Sequence, residues 1–278
     1  MLFILLFSVV SVHGEQLVDM SHPVDENSIT WVGLKPFSKS QNFKGYTDRN
    51  YWYESYNVAF PEHISTHIDA PNHFAYKGSS VDDIPISDLV APAVVIDMRE
   101  KASQNDVAEL STDDVMEWLD QHGPLPDGVV VFVLTGWGEQ YHNKTSYLGT
   151  DSSDASKLRF PGVSEGAAQL MASHHEAFGR RILGVGIDTA SIDHGPSQDF
   201  KAHRALAAKN IYMLENVANI HLLPTTGAEV TVLPLKLAGG SGGPCRILAR
   251  IPDSGAVGRS SSVLASLVIM LFPILILR

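Results

Sequence analysis

Residues 62–74 read EHISTHIDAPNHF and place His63, His67, Asp69 and His73 within eleven positions, around Pro71. Neutral imidazole and carboxylate are the ligands of borderline divalent metals such as zinc, and they also suit manganese or iron. His63, His67 and Asp69 make a partial site, to be completed from elsewhere in the chain. No straight regular element can hold them. On a helix His63 and His67 would share a face while Asp69 pointed elsewhere. Pro71 and the β-branched Ile64, Thr66 and Ile68 also disfavour a helix. On an ideal strand, His63 and His67 would stand ~13 Å apart at ~3.3 Å per residue, too far to share one ion. The spacing therefore predicts an extended run that bends near Ser65 and ends at Pro71.

The remaining ligands are best sought in residues 199–217, DFKAHRALAAKNIYMLENV. Helix formers fill 202–209 and a strand-like run covers 211–214. A helix-turn-strand unit can bring His203, near the helix start, and Glu215, at the strand end, to one side of a sheet. A solvated helix with a chance histidine has the same pattern, and the segment alone does not separate the two.

Elements able to carry such a site are spread along the chain. Buried strands are expected over 93–98, 128–134, 182–187 and 229–233. Ser111 to Asp114 should cap a helix over 115–121, and Ser164-Glu165 should open one over 166–178. Residues 134–138, LTGWG, leave a strand through a glycine turn, a common place for a site-lining loop. Strands mixed with helices make an α/β or α+β domain.

Composition bounds the partners and the compartment. A net charge of −11 excludes a nucleic-acid partner, which demands basic surface. The single cysteine, Cys245, allows no intrachain disulfide. The apolar opening MLFILLFSVVSVHG reads as a signal peptide over 1–14. At the other end, the small residues Ser254, Gly255 and Ala256, a polar spacer and an apolar tail read as a glycolipid-anchor signal attached at Ser254. A transmembrane tail is its rival. Asn143-Lys144-Thr145 is a glycosylation sequon. Together these predict a domain over 15–254, exported through the secretory pathway and held at the cell surface, with the membrane as a partner through the C-terminal anchor.

The stretch His63 to Phe74 resembles the H-x-G-T-H-x-D-A-P-x-H-F signature of the metal-dependent cyclase-like hydrolases, a family that includes bacterial-type kynurenine formamidase and isatin hydrolase. The resemblance continues in GIDTASID (186–193), in Ala202-His203 through Leu214-Glu215, and in LPLKLAG (233–239). It runs from near Leu17 to near Arg250. It implies a single α/β domain of the swivelling β/β/α type with mixed sheets. It implies one or two divalent ions, zinc or manganese: His63, His67 and Asp69 on one, and Asp69, His203 and Glu215 completing a binuclear site. His73 matches the family's catalytic histidine and Trp31 a substrate-contacting tryptophan. Two departures stand out. The usual W-P-G-D reads Trp31-Val32-Gly33-Leu34, and Ser65 replaces a glycine. If that backbone takes a positive φ, serine strains it.

The implied reaction is hydrolysis of an amide C–N bond by metal-activated water, with His73 passing a proton to the departing nitrogen. The expected substrate is a small aryl formamide like N-formylkynurenine. The alternatives are a cyclic amide like isatin, or a catalytically silent surface binding protein. A homodimer or higher homo-oligomer is expected. A serine nucleophile fits less well: residues 239–243, GGSGG, match the letters of G-x-S-x-G, but the two glycines and Pro244 that follow Ser241 do not open the helix of a nucleophile elbow. Trp31, Trp52, Phe74, Tyr76 and Trp137 are the aromatic candidates for stacking on an aryl substrate.

Overall fold

The computed structural model describes residues 15–252. The strands are β1 (Gln16–Asp19), β2 (Ser38–Tyr46), β3 (Trp52–Ala59), β4 (His67–Asp69), β5 (Val90–Asp97), β6 (Glu109–Leu110), β7 (Val129–Leu134), β8 (Gly162–Val163), β9 (Ile182–Ile187), β10 (Tyr212–Glu215), β11 (Ala228–Pro234) and β12 (Gly242–Ile251). The helices are α1 (Arg99–Gln104), α2 (Thr112–His122), α3 (Lys144–Leu148), α4 (Glu165–Ala172), α5 (His174–Phe178) and α6 (Lys201–Ala207).

One mixed sheet forms the centre, in the order β1-β12-β11-β5-β7-β9-β10-β4, and β4 also pairs with β12. That second pairing closes seven strands into a barrel-like ring, leaving β1 on the outer part of β12. The β5-β7-β9-β10 section is parallel and the rest antiparallel. A parallel sheet covered on both sides reads as a continuous apolar run, and VVVFVL in β7 and ILGVGI in β9 are buried throughout.

The side-chain period of two divides each strand between two cores. Val129, Val131 and Val133 join the layer under α2, α4 and α6, whereas Val130, Phe132 and Leu134 fill the ring's interior. The glycines of β9 make room inside that ring. A Cβ on Gly184 would lie 2.2 Å from the Tyr212 ring, and one on Gly186 would lie 2.6 Å from Phe132.

The four expected strands are present, within a few residues at their ends. The capped helix is α2: Ser111 Oγ accepts from the Asp114 backbone N–H, and the Asp114 carboxylate accepts from the Ser111 N–H. The helix expected over 166–178 is broken. The Ser173 hydroxyl donates back to the carbonyls of Gln169 and Leu170, and the chain turns there between α4 and α5. The β2–β3 ribbon was not anticipated. Its residues are exposed over nearly their whole length, so no buried face imposes an apolar–polar alternation.

No helix among the described residues is long and apolar enough to cross a membrane. The expected signal peptide (1–14) and the anchor residues from Ser254 onward lie outside the described residues. Asn143, the sequon residue, caps α3, its side-chain oxygen accepting from the Ser146 N–H at 3.1 Å.

Candidate metal centre

The short strand β4 is where the ring closes, and it carries His67 and Asp69. Antiparallel pairing with β10 sets Glu215 directly opposite His67, so imidazole and carboxylate project from the same face of the sheet. On the other edge β12 pairs Gly242 with Asp69. Helix α6 leads into β10 and brings His203 over the same point, 2.9 Å from Glu215 and 3.3 Å from Asp69. Two groups of ligand atoms result, His63/His67/Asp69 and Asp69/His203/Glu215, each within 4.8 Å. The two groups share Asp69.

The bend ahead of β4 is at Ser65, whose φ is +55°. Glycine adopts such a backbone freely, whereas a side chain there costs about 1–2 kcal/mol. Hydrogen bonds offset the strain. The Ser65 hydroxyl donates to the Pro23 carbonyl at 2.9 Å and accepts from Tyr141, and its N–H donates to Ile29. The bend also aims the ligands. The Ser65 carbonyl accepts from His67 Nδ1 at 2.9 Å and from Asn216 Nδ2 at 2.8 Å.

A carbonyl can only accept, so His67 carries its proton on Nδ1 and turns a bare Nε2 inward. That Nε2 is buried without a hydrogen-bond partner, yet it lies 3.2 Å from Asp69 and 3.3 Å from Glu215. His203 is set the same way, Nδ1 donating to Asp193 at 2.6 Å and Nε2 facing the two carboxylates. A nitrogen lone pair facing carboxylate oxygens calls for a cation between them, and the nitrogen–oxygen donor set suits zinc or manganese. The residues fit a divalent ion.

The electrostatics agree. Burial favours neutral carboxyls, but the three histidines hold Asp69 well below its ordinary value, and His203 and His67 lower Glu215 against the push of burial and Asp69. Burial disfavours charge on His67, yet the Asp69 and Glu215 carboxylates facing Nε2 carry it up to about 10, and His203 rises well above its ordinary value. The space between nitrogen and carboxylates attracts a cation, whether a proton or a metal ion. Two buried anions thus draw positive charge into the cluster.

His73 belongs to neither ligand group. It stacks on His63 with centroids 4.1 Å apart, and desolvation lowers its pKa despite the pull of Asp69. It opens onto a cavity of about 350 Å³ beside the cluster, walled by Ile29, Trp31, Leu34, Phe74 and Phe200. The Thr30–Ile64 bridge brings Trp31 to this wall. Trp31 and Phe74 are thus at the site. Trp52 and Tyr76 are solvent-exposed elsewhere, and Trp137 packs in the cluster behind Ile29 and Trp31 without lining the cavity, donating to the Tyr147 carbonyl. Asp193 and Phe200 were missed as functional residues. Asp193 lies inside the recognised stretch 186–193, but sequence distance does not say which histidine it supports.

Residues 18–194 match the Cyclase family model. The chain belongs to the Cyclase family. Among relatives, the isatin hydrolase of Roseibium aggregatum is 29% identical over 201 residues, 69% of this chain and 73% of that protein. The kynurenine formamidase of Geobacillus thermodenitrificans is 29% identical over 240 residues, 84% of this chain and 96% of that protein. The structure of isatin hydrolase A from Labrenzia aggregata bound to benzyl benzoate superposes with a TM-score of 0.74 at 29% identity, covering 85% of this chain and 94% of that one. This Cyclase-family chain is a hydrolase with the mixed α/β fold of its relatives.

The relatives also correct the expectations about compartment. They are bacterial enzymes, the formamidase being covered over 96% of its length by 84% of this chain, and no helix among the described residues is long and apolar enough to cross a membrane. The secreted and cell-surface location, the membrane contact through an anchor at Ser254 and the glycoprotein reading at Asn143 do not hold. The physical error lay in treating two apolar ends and a three-residue sequon as address signals. Apolar runs and sequons are weak, local patterns, and Asn143 has a capping role of its own.

Proposed function

We propose that this Cyclase-family chain hydrolyses the C–N bond of a small aryl amide, with an arylformamidase-type activity, at one or two zinc or manganese ions. His63, His67 and Asp69 would hold one ion, and Asp69, His203 and Glu215 the other. The observation that carries the reading is the buried, unpartnered His67 Nε2 facing two carboxylates at the floor of an aromatic-walled cavity. An ion bound there supplies a water acidified toward neutrality and polarises the amide carbonyl. Trp31, Phe74 and Phe200 hold the aryl ring and keep bulk water off the carbonyl. His73 stands beside the cluster without a ligand role, where it would accept the proton released by the attacking water and pass it to the departing nitrogen.

A second reading, opening of a cyclic aryl amide of the isatin type, is favoured by one feature. Among the described residues no Lys or Arg lines the cavity, so a substrate bearing a free carboxylate finds no counter-charge from them there. The test is metal content by plasma emission spectroscopy, together with turnover of formanilide, N-formylkynurenine and isatin. Metal at one or two equivalents and turnover of an aryl amide support the proposal. Metal-free protein, or no turnover of any of the three by loaded protein, sinks it. Preference for isatin and formanilide over N-formylkynurenine selects the neutral-substrate reading.

A further inference from the structure

The glycine loop at 239–243 has no place in the scheme above, yet it delivers Ser241 against a metal ligand. The Ser241 hydroxyl lies 2.6 Å from Glu62 Oε2, which also accepts the Ser241 backbone N–H at 3.0 Å. On its other side the same hydroxyl is 3.1 Å from His63 Nε2. A hydroxyl has one proton and an ionised carboxylate can only accept. That proton therefore goes to Glu62, and the serine oxygen accepts from His63. With its proton on Nε2, His63 leaves Nδ1, 2.7 Å from Asp69 Oδ1, to share a cation with that carboxylate.

Among the described residues, Asp69 and Ser241 are the hydrogen-bond partners within reach of that ring. His67 is turned by the Ser65 carbonyl and His203 by Asp193, and both side chains are almost fully buried, at 4% and 3% exposure. His63 lies outside regular structure, and its side chain is 18% exposed. One face stacks on His73. Gly242 borders the ring closely: a Cβ there would sit 2.6 Å from His63 Cε1. At Gly240 a Cβ would sit 2.9 Å from the Leu237 side chain and 3.2 Å from Glu62. The glycines flanking Ser241 are what let it approach.

We propose that Glu62 and Ser241 act as positioning residues, holding His63 with Nε2 protonated so that Nδ1 faces the ion beside Asp69. This rests on the metal-centre reading of His63, His67 and Asp69. The order Ser241, His63, Asp69 also matches a nucleophilic triad. The short donation to Glu62 points the serine proton away from His63, however, and Asp69 is shared with two further histidines.

The experiment uses the metal-stripped full chain as wild type, Ser241→Ala, Ser241→Thr and Glu62→Gln, with circular dichroism reporting folding. Zinc affinity is measured by calorimetry, and His63 protonation by ¹⁵N-histidine resonance of the zinc-loaded protein. Ser241→Ala and Glu62→Gln are expected to bind zinc ~10–100-fold more weakly, the scale for a lost outer partner of a ligand. Ser241→Thr, which keeps the hydroxyl, should restore most of the affinity. The Nε2 proton on His63 should be seen in wild type and lost in Ser241→Ala, whose turnover should return at saturating zinc. Unchanged affinity and protonation in both Ser241→Ala and Glu62→Gln overturn the proposal. Full zinc affinity with no turnover in Ser241→Ala also overturns it, in favour of a serine nucleophile. A wild-type chain that binds no zinc overturns the metal-centre reading itself, an outcome distinct from either.

Discussion

At the scale of single residues the cluster separates the proposed ligands from the proposed proton carrier. His67 and His203 have both ring nitrogens committed, one to an outer acceptor and one to the carboxylates. His73 has neither, and burial keeps it in its neutral form. His73→Ala should therefore leave the metal content of the protein unchanged while kcat falls ~10²-fold or more, the usual scale for a lost acid or base. Wild-type turnover in that variant would remove His73 from the reaction, and loss of metal would make it a ligand. Ser65 shows the opposite economy of roles. One residue in the left-handed region both strains the backbone and uses its carbonyl to turn His67 and Asn216 toward the site.

Among elements, the parallel strands and the closing strand β4 do different work. β7 and β9 are rigid because both faces are buried, and their fit is tight inside the ring. Tyr212 crosses that interior with its ring over Gly184 and its hydroxyl donating to the Asp88 carbonyl at 3.0 Å. Anchored at both ends, the ring cannot slide aside. Gly184→Ala is expected to destabilise the protein by about 1–3 kcal/mol, the range for overpacking a core. The measurement is the denaturant midpoint at unchanged m-value. An unshifted midpoint would mean that the interior is looser than the distances imply. β4, by contrast, is three residues long and owes its position to pairing on both edges.

For the molecule as a whole, acid should be the weak side. His22 stacks on Tyr141 with ring centroids 3.6 Å apart, and its Nε2 is buried without a partner. Burial lowers its pKa from 6.5 to about 4. The unfolded chain takes up the proton more readily, so stability is complete above pH 6.5 and drains as pH falls toward 4. The loss should be on the order of 1–2 kcal/mol once solvent screening of this partly accessible ring is allowed for. The check is the difference in thermal stability between pH 7 and pH 4.5, which His22→Gln should diminish. An equal difference in that variant would assign the acid sensitivity elsewhere.

What the sequence determined by itself was local. His63, His67, Asp69 and His73 stand within one short stretch, so their types and spacing already pointed to a metal site and to a bend at Ser65. The apolar runs of β7, β9 and the middle of β5 announced a covered sheet because burial on both faces removes alternation, whereas β11 alternates between buried and exposed positions. The recognised motifs named His203 and Glu215, but residue patterns left that pair undecided. Only the tertiary structure set Glu215 opposite His67, through the register of β10 on β4. It alone placed Asp193 on His203 and Ser241 between His63 and Glu62. The reason is physical. Ligand identity is a property of a residue, whereas which nitrogen of a ring is protonated depends on the acceptor that folding brings to it.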